Sequence, residues 1–300
     1  MKVGALTCCR NEMTTIAYTI ASLLPFVDCY VVIDTGSDDH TLKIIKTLFD
    51  KEIKYGRLVL IEYGSLEDYD ISKPKNEAIE TLRAEGCGRF IRLDGDDVFF
   101  LKGAQEAAQT ARELPDDVTL YTINHWELYQ NKYANSLSWT EGLVAEAAGL
   151  KKPDFYCMRI PPSYEGRFTG SYGHARIYRT EGAVSLGKWT DEAWGTGPGE
   201  DIGHPGCRRK CIGNYNEDIV HYGWARPMDK KLHKNNIWTH GEAIDLRVTG
   251  LEKKWEVLDK PNLDRMTYGF NWWPKQILFP FTNHPEVVLG MAPMVRELLV

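Results

Sequence analysis

The chain contains no apolar run approaching the ~18 residues that a membrane-spanning helix requires. Its opening segment, MKVGALTCCRNE, turns polar too soon for a secretory leader. These two absences lead us to expect a cytoplasmic protein with no integral membrane association. Positive charge is not in excess either: 36 Lys and Arg stand against 42 Asp and Glu, a net charge of −6. That balance argues against gripping nucleic acid by bulk electrostatics and leaves only a local basic groove for such a purpose. The seven cysteines follow no framework spacing, which favours reduced thiols over a disulfide scaffold. Internal repeats and low-complexity linkers are missing as well. What remains is ordinary globular material, 43% hydrophobic and 26% charged over 300 residues, enough for one large domain or two modest ones.

The first hundred residues alternate two periodicities. KVGALTC, CYVVID, RLVLIEY and RFIRLD read as strands. Between them lie helical patterns carrying Ile16, Ile20, Leu23 and Leu24, then HTLKIIKTLFDKE with Leu42, Ile45, Leu48 and Phe49 on one face, then KPKNEAIETLRAEG. Strands alternating with helices of this length predict a mainly parallel sheet with crossover helices. In such sheets ligands bind beyond the carboxyl ends of the strands. The polar segments CCRNE, DTGSDD and DGDD all sit at those ends and should converge on one rim. After about residue 115, DVTLYTINHWELY is strand-like, and the stretch to about 220 is rich in Gly, Pro and aromatics. All nine tryptophans lie at or beyond Trp126. Helical character returns from Pro227 to Asp259.

The stretch FIRLDGDDVFF places Asp94, Asp96 and Asp97 among residues that belong in a buried strand. Grouped carboxylates repel one another, and burial without a partner is costly. A hard divalent cation answers both problems, because Mg²⁺ or Mn²⁺ takes carboxylate oxygens and keeps open positions for substrate phosphates. An acidic turn is the alternative. His221, in IVHYGW, is a candidate third ligand that would close a site opened by two carboxylates; a core histidine beside Tyr222 and Trp224 is the alternative there.

The order CCRNE (8–12), VIDTGSDDHT (32–41), KPKNEAI (73–79), FIRLDGDD (90–97) and IVHYGWARPMDKKLHKNN (219–236) resembles family 2 glycosyltransferases of the GT-A fold. The resemblance implies an α/β, Rossmann-like, mixed but mainly parallel sheet flanked by helices, with an irregular aromatic-rich C-terminal half. It implies a donor-binding half over 1–115, acceptor-side strands and loops over 116–226, and C-terminal helices and tail over 227–300. The implied activity is metal-dependent transfer of a sugar, with inversion, from a nucleotide-diphosphate sugar. Asp96 would then ligate Mn²⁺ or Mg²⁺, and Asp94 would contact ribose or help hold the metal. Asp97 would bind the donor sugar, and His221 would complete the metal site. Arg10, Glu12, Asp34 and Asp38 would line base and ribose, with Lys75 near the diphosphate or base. Lys75 stands where the family usually has Arg, a point charge in place of a planar fork, and Thr35 stands where a second acid often follows Asp34.

Single displacement also needs a base for the acceptor proton. Three acid pairs compete: Asp191-Glu192, Glu200-Asp201 and Glu217-Asp218. The family register puts Glu192 on the catalytic acid, with Asp191 next. His204, Cys207 and Cys211 in GHPGCRRKC could contribute to a zinc site, although nothing repeats their spacing and reduced thiols are the favoured reading. Trp189, Trp194 or Trp224 could stack on a sugar or base. Two rival functions are a catalytically silent glycan- or nucleotide-binding module and a sugar-nucleotide pyrophosphorylase. The latter is disfavoured because CCRNE does not supply a G-x-G-x-R-L loop. A protein, a soluble glycan and a modified nucleobase all stay open as acceptor.

Overall fold

A computed structural model describes residues 1–66, 71–123, 125–130, 155–159, 174–185, 202–204, 210–212, 219–224, 277–278 and 285–299. The N-terminal part runs β1 (Lys2–Cys9), α1 (Ile16–Leu23), β2 (Cys29–Asp34), α2 (Thr41–Leu48), α3 (Asp50–Lys54), β3 (Leu58–Glu62), α4 (Ser72–Ala84), β4 (Cys87–Asp94), β5 (Asp97–Phe99) and α5 (Leu101–Glu113). Nine short strands follow: β6 (Leu120–Ile123), β7 (His125–Gln130), β8 (Phe155–Arg159), β9 (His174–Arg179), β10 (Val184–Ser185), β11 (Ile202–Gly203), β12 (Lys210–Ile212), β13 (Ile219–Trp224) and β14 (Ile277–Leu278). Helix α6 (Glu286–Leu299) is last.

The main sheet has seven strands in the order β12-β6-β9-β4-β1-β2-β3. β3, β2, β1 and β4 are mutually parallel, as the strand–helix alternation predicts. β9 is antiparallel to both its neighbours, β4 and β6. The sheet therefore draws strands from beyond residue 115, and the insertion of antiparallel β9 between β4 and β6 makes it mixed. A second sheet, β14-β8-β7-β13-β5, grows from the acidic turn. The strand-like DVTLYTINHWELY stretch divides between the two sheets: β6 lies in the first and β7 in the second.

Alternation along the strands feeds a core on each face of the sheet. Val3, Ala5, Tyr30 and Val32 pack with Ile16, Ile20 and Leu23 of α1, the alanines of α5 and Val288 of α6. Leu6, Val31 and Ile33 pack with Ala78, Ile79 and Leu82 of α4. One expectation is corrected: the helix read over 40–52 is interrupted at Phe49, which has φ −118° and ψ 24°. Phe49 is buried at the break, and Ile44 and Ile45, rather than Leu42 and Leu48, make the fully buried face.

Register decides where the site lies. Cys9 pairs with Asp34, Asp34 with Glu62 and Cys8 with Asp94. The carboxyl ends of β1, β2 and β4 are thus level, and the three polar segments that leave them share one rim.

Candidate active site

Side chains of the CCRNE and DTGSDD segments stitch the rim together. Asn11, the only non-glycine residue with positive φ (57°) among the described residues, receives a hydrogen bond from the Asp38 N–H through its side-chain oxygen (2.9 Å). Its own N–H donates to Ser37 Oγ (2.8 Å). The Glu12 N–H donates to Thr41 Oγ1 (2.8 Å), and the Met13 N–H to Asp39 Oδ2 (3.3 Å). Asp39 Oδ1 accepts the Thr41 N–H (2.8 Å), opening α2. Asp34 holds its own turn: Oδ1 accepts the N–H groups of Gly36 (3.0 Å) and Ser37 (2.9 Å), and Oδ2 accepts the Ser37 hydroxyl. Of the four residues expected along base and ribose, Asp34 and Glu12 are buried, Arg10 is half-buried and Asp38 is exposed.

The acidic turn docks onto this framework. Thr19 of α1 donates its hydroxyl to the Gly95 carbonyl (3.0 Å). A Cβ on Gly95 would lie 2.8 Å from Glu12 Cγ and 3.1 Å from Cys9 Cβ, so only glycine lets the turn approach this closely. Gly95→Ala is expected to destabilise the fold by about 1–3 kcal/mol through overpacking; urea unfolding checks it, and an unchanged midpoint would contradict the close approach.

Two of the three carboxylates, Asp94 and Asp97, already meet positive charge from the protein itself. Arg92 lies two residues before Asp94, hence on the same face of β4, and its Nη2 donates to Asp94 Oδ1 (2.8 Å). Arg176 of β9 sits one residue beyond the Ile91–Ile177 pair. Its Nη1 is 2.7 Å from Asp97 Oδ2 and 3.5 Å from Asp94 Oδ2. Burial pushes the Asp94 carboxyl up, yet Arg92, Arg176, Lys75 and His221 together hold it well below the usual range. Lys75, buried on the first turn of α4, adds to the positive charge felt by Asp94.

His221 comes to the same place through backbone pairing, since β13 runs antiparallel to β5 with His221 opposite Asp97. The Tyr222 N–H donates to the Asp96 carbonyl (2.8 Å), which locks the turn to β13. His221 Nδ1 stands 2.8 Å from Asp97 Oδ1 and 3.5 Å from Asp96 Oδ1. One atom each from Asp96, Asp97 and His221 lie within 4.8 Å of one another. Two carboxylates and an imidazole so placed suit Mn²⁺ or Mg²⁺. Asp94, expected to share the metal, is turned toward the arginines. Asp97, expected on the donor sugar, is fully buried between Arg176 and His221.

Residues 5–184 match the sequence profile of glycosyl transferase family 2. The chain belongs to that family. As a family 2 glycosyltransferase it has the GT-A sheet, with four parallel strands followed by the antiparallel β9; the pyrophosphorylase reading loses its support. Among solved structures, residues 1–349 of TarS from S. aureus overlap at 14% identity and a TM-score of 0.45, over 86% of this chain and 79% of that one. Glucosyl-3-phosphoglycerate synthase from Mycobacterium tuberculosis, solved with Mn²⁺, UDP and glucosyl-3-phosphoglycerate, overlaps at 17% identity and 0.39, over 83% and 80%. No curated protein sequence matches the chain.

Several expected residues lie outside the described ones: Asp191, Glu192, Glu200, Asp201, Glu217, Asp218, Trp189, Trp194, Cys207 and the basic run at 230–234. His204 is described and buried at the end of β11. Burial and the nearby Arg179 push its pKa down to about 4, against a backbone hydrogen bond that raises it. No helix among the described residues is long and apolar enough to cross a membrane. Sequence reasoning missed Arg92, Arg176, Asn11, Asp39 and Thr41. Arg92 carried a signal, as a lone charge inside an apolar strand and in phase with Asp94.

Proposed function

We propose that this family 2 glycosyltransferase moves a sugar from a nucleoside diphosphate sugar to an acceptor by single displacement, with inversion and with a divalent cation at the rim of β4. The observation that carries the reading is the Asp96, Asp97 and His221 cluster, set at the level carboxyl ends of the parallel strands. Asp96 and His221 would hold Mn²⁺ or Mg²⁺, which when bound neutralises the charge growing on the leaving diphosphate. Relatives solved with UDP and Mn²⁺ agree with that choice.

The remaining roles belong to the chain's own groups. Arg10, Glu12, Asp34 and Asp38 border the space for base and ribose, Asp34 through the turn it organises. Asp94 stays ionised beside Arg92 and faces the ribose side. Lys75 adds positive charge where a diphosphate would lie. Glu192, with Asp191 beside it, takes the acceptor proton. Upstream of that pair, Asn76 of α4 holds Ser185: its side chain donates to the Ser185 carbonyl (2.9 Å) and accepts the Ser185 N–H (2.8 Å).

A thermal-shift screen of nucleotide sugars, each with Mn²⁺ and with chelator, tests the reading. Binding to the folded state alone stabilises it by about 2.7 kcal/mol at a hundredfold excess over Kd. The expected result is a rise in Tm with one uridine or guanosine sugar that disappears with chelator. No shift with any donor would overturn donor use and favour a silent binding module. A shift insensitive to chelator would overturn the metal.

A further inference from the structure

Asp97 is the most enclosed acid of the site, and each side of its carboxylate faces a donor. Oδ2 receives the Asp94 N–H (2.9 Å) and stands 2.7 Å from Arg176 Nη1. Oδ1 stands 2.8 Å from His221 Nδ1. Asp97 has no exposed side-chain surface and Arg176 only 1%, so water does not compete for these contacts. A carboxylate paired with arginine only accepts hydrogen bonds, which puts the hydrogen on Nδ1. Nε2 then carries the lone pair of the ring. Histidines that ligate metals commonly donate their other ring nitrogen to a carboxylate in this way, which fixes tautomer and orientation.

We propose that Arg176 and Asp97 form a buried positioning relay that fixes His221 as its Nδ1–H tautomer, with the ring's lone pair on Nε2. Arg176 holds Asp97 from behind, Asp97 orients the imidazole, and neither residue needs to touch the donor. The use of Nε2 for a divalent cation rests on the metal reading above; the tautomer does not. Asp97 is thereby a positioning residue rather than a sugar contact.

The relay predicts an unusual outcome for a near-isosteric change. In Asp97→Asn the amide has one oxygen and one NH₂. Arg176 and the Asp94 N–H are both donors and draw the oxygen to the Oδ2 position. The NH₂ then faces His221 Nδ1, which must accept, and the hydrogen moves to Nε2. The variant should keep its shape and lose the lone pair on Nε2.

The test is long-range ¹H–¹⁵N NMR of ¹⁵N-histidine-labelled protein with chelator, at about pH 8, where an ordinary imidazole is neutral. The resonances of His221 among the eight histidines are assigned with His221→Gln. Free Mn²⁺ measured by electron paramagnetic resonance gives the metal affinity of each variant. Wild type is expected as the Nδ1–H tautomer and Asp97→Asn as Nε2–H, with Mn²⁺ affinity lowered about 10–100-fold. A wild-type Nε2–H tautomer would overturn the relay, and that spectrum decides even if the variant fails to fold. Asp97→Asn retaining Nδ1–H and full Mn²⁺ affinity would overturn it as well. Tautomer inversion without Mn²⁺ binding to wild type would support the relay and sink the metal reading instead.

Discussion

Replacing Asp96 with Asn is expected to lower turnover by about a thousandfold while leaving the fold intact. The substitution keeps the side chain's size and planar shape, and the contact that ties this residue to β13 is made by its backbone carbonyl, which accepts the Tyr222 N–H. What is lost is the hard anionic oxygen that Asp96 would give the metal. The neighbouring acids cannot replace it, since Asp94 is occupied by Arg92 and Arg176 and Asp97 by Arg176 and His221. Divalent-metal stabilisation of a leaving phosphate is worth several kcal/mol, and each 1.36 kcal/mol is a factor of ten in rate. The measurement is release of nucleoside diphosphate from the donor identified by the thermal screen, across a Mn²⁺ titration. The Mn²⁺-dependent part of the donor's thermal shift should vanish in parallel. Turnover within tenfold of wild type at the same Mn²⁺ concentration would remove Asp96 from the metal.

The sequence made the frame of this site legible because a parallel sheet converts linear order into position. Strand ends marked by CCRNE, DTGSDD and DGDD must share a rim when β1, β2 and β4 are parallel and level, and they do. His221 was legible through the HYG segment, and the register of β13 on β5 brings it to Asp97. The charges that neutralise the acids were not legible to the same degree. Arg92 could have been read from strand phase, whereas Arg176 reaches Asp94 and Asp97 only because β9 inserts antiparallel beside β4. No local pattern in HARIYR announces that pairing. The division of DVTLYTINHWELY between two sheets was hidden for a similar reason, since both parts have the same strand period and only tertiary pairing separates them. The resemblance names Asp38 and gives Asp39 no role; Asp39 accepts from Thr41 and Met13, while Asp38 is exposed.

Replacing Arg176 with Met is expected to be the most destabilising single change in the described site. Arg176 and Asp97 are removed from water together, and breaking such a pair by deleting one partner costs about 3–5 kcal/mol because the other charge stays buried. Urea unfolding at neutral pH should show that loss in the midpoint, and a loss below about 1 kcal/mol would contradict burial of the pair. The acid side of the stability curve should move as well. The cations facing Asp94 are Arg92, Arg176 and Lys75, joined by His221 once acid protonates it, and they hold its folded-state pKa well below the ordinary carboxylate value. A depressed folded pKa contributes stability that is fully present above the unfolded value, about 3.9, and is lost as pH falls through the folded value. Without Arg176 the folded pKa of Asp94 rises, the window between the two values narrows, and acid unfolding begins at higher pH. A double variant, Arg176→Met with Asp97→Leu, separates stability from chemistry. Replacing a whole buried pair by apolar side chains is often neutral or stabilising, so most of the lost free energy should return. His221 would then lack the Asp97 carboxylate that orients it, and Mn²⁺ affinity should remain weak. Recovery of both stability and affinity would show that the arginine–aspartate pair supports the fold alone.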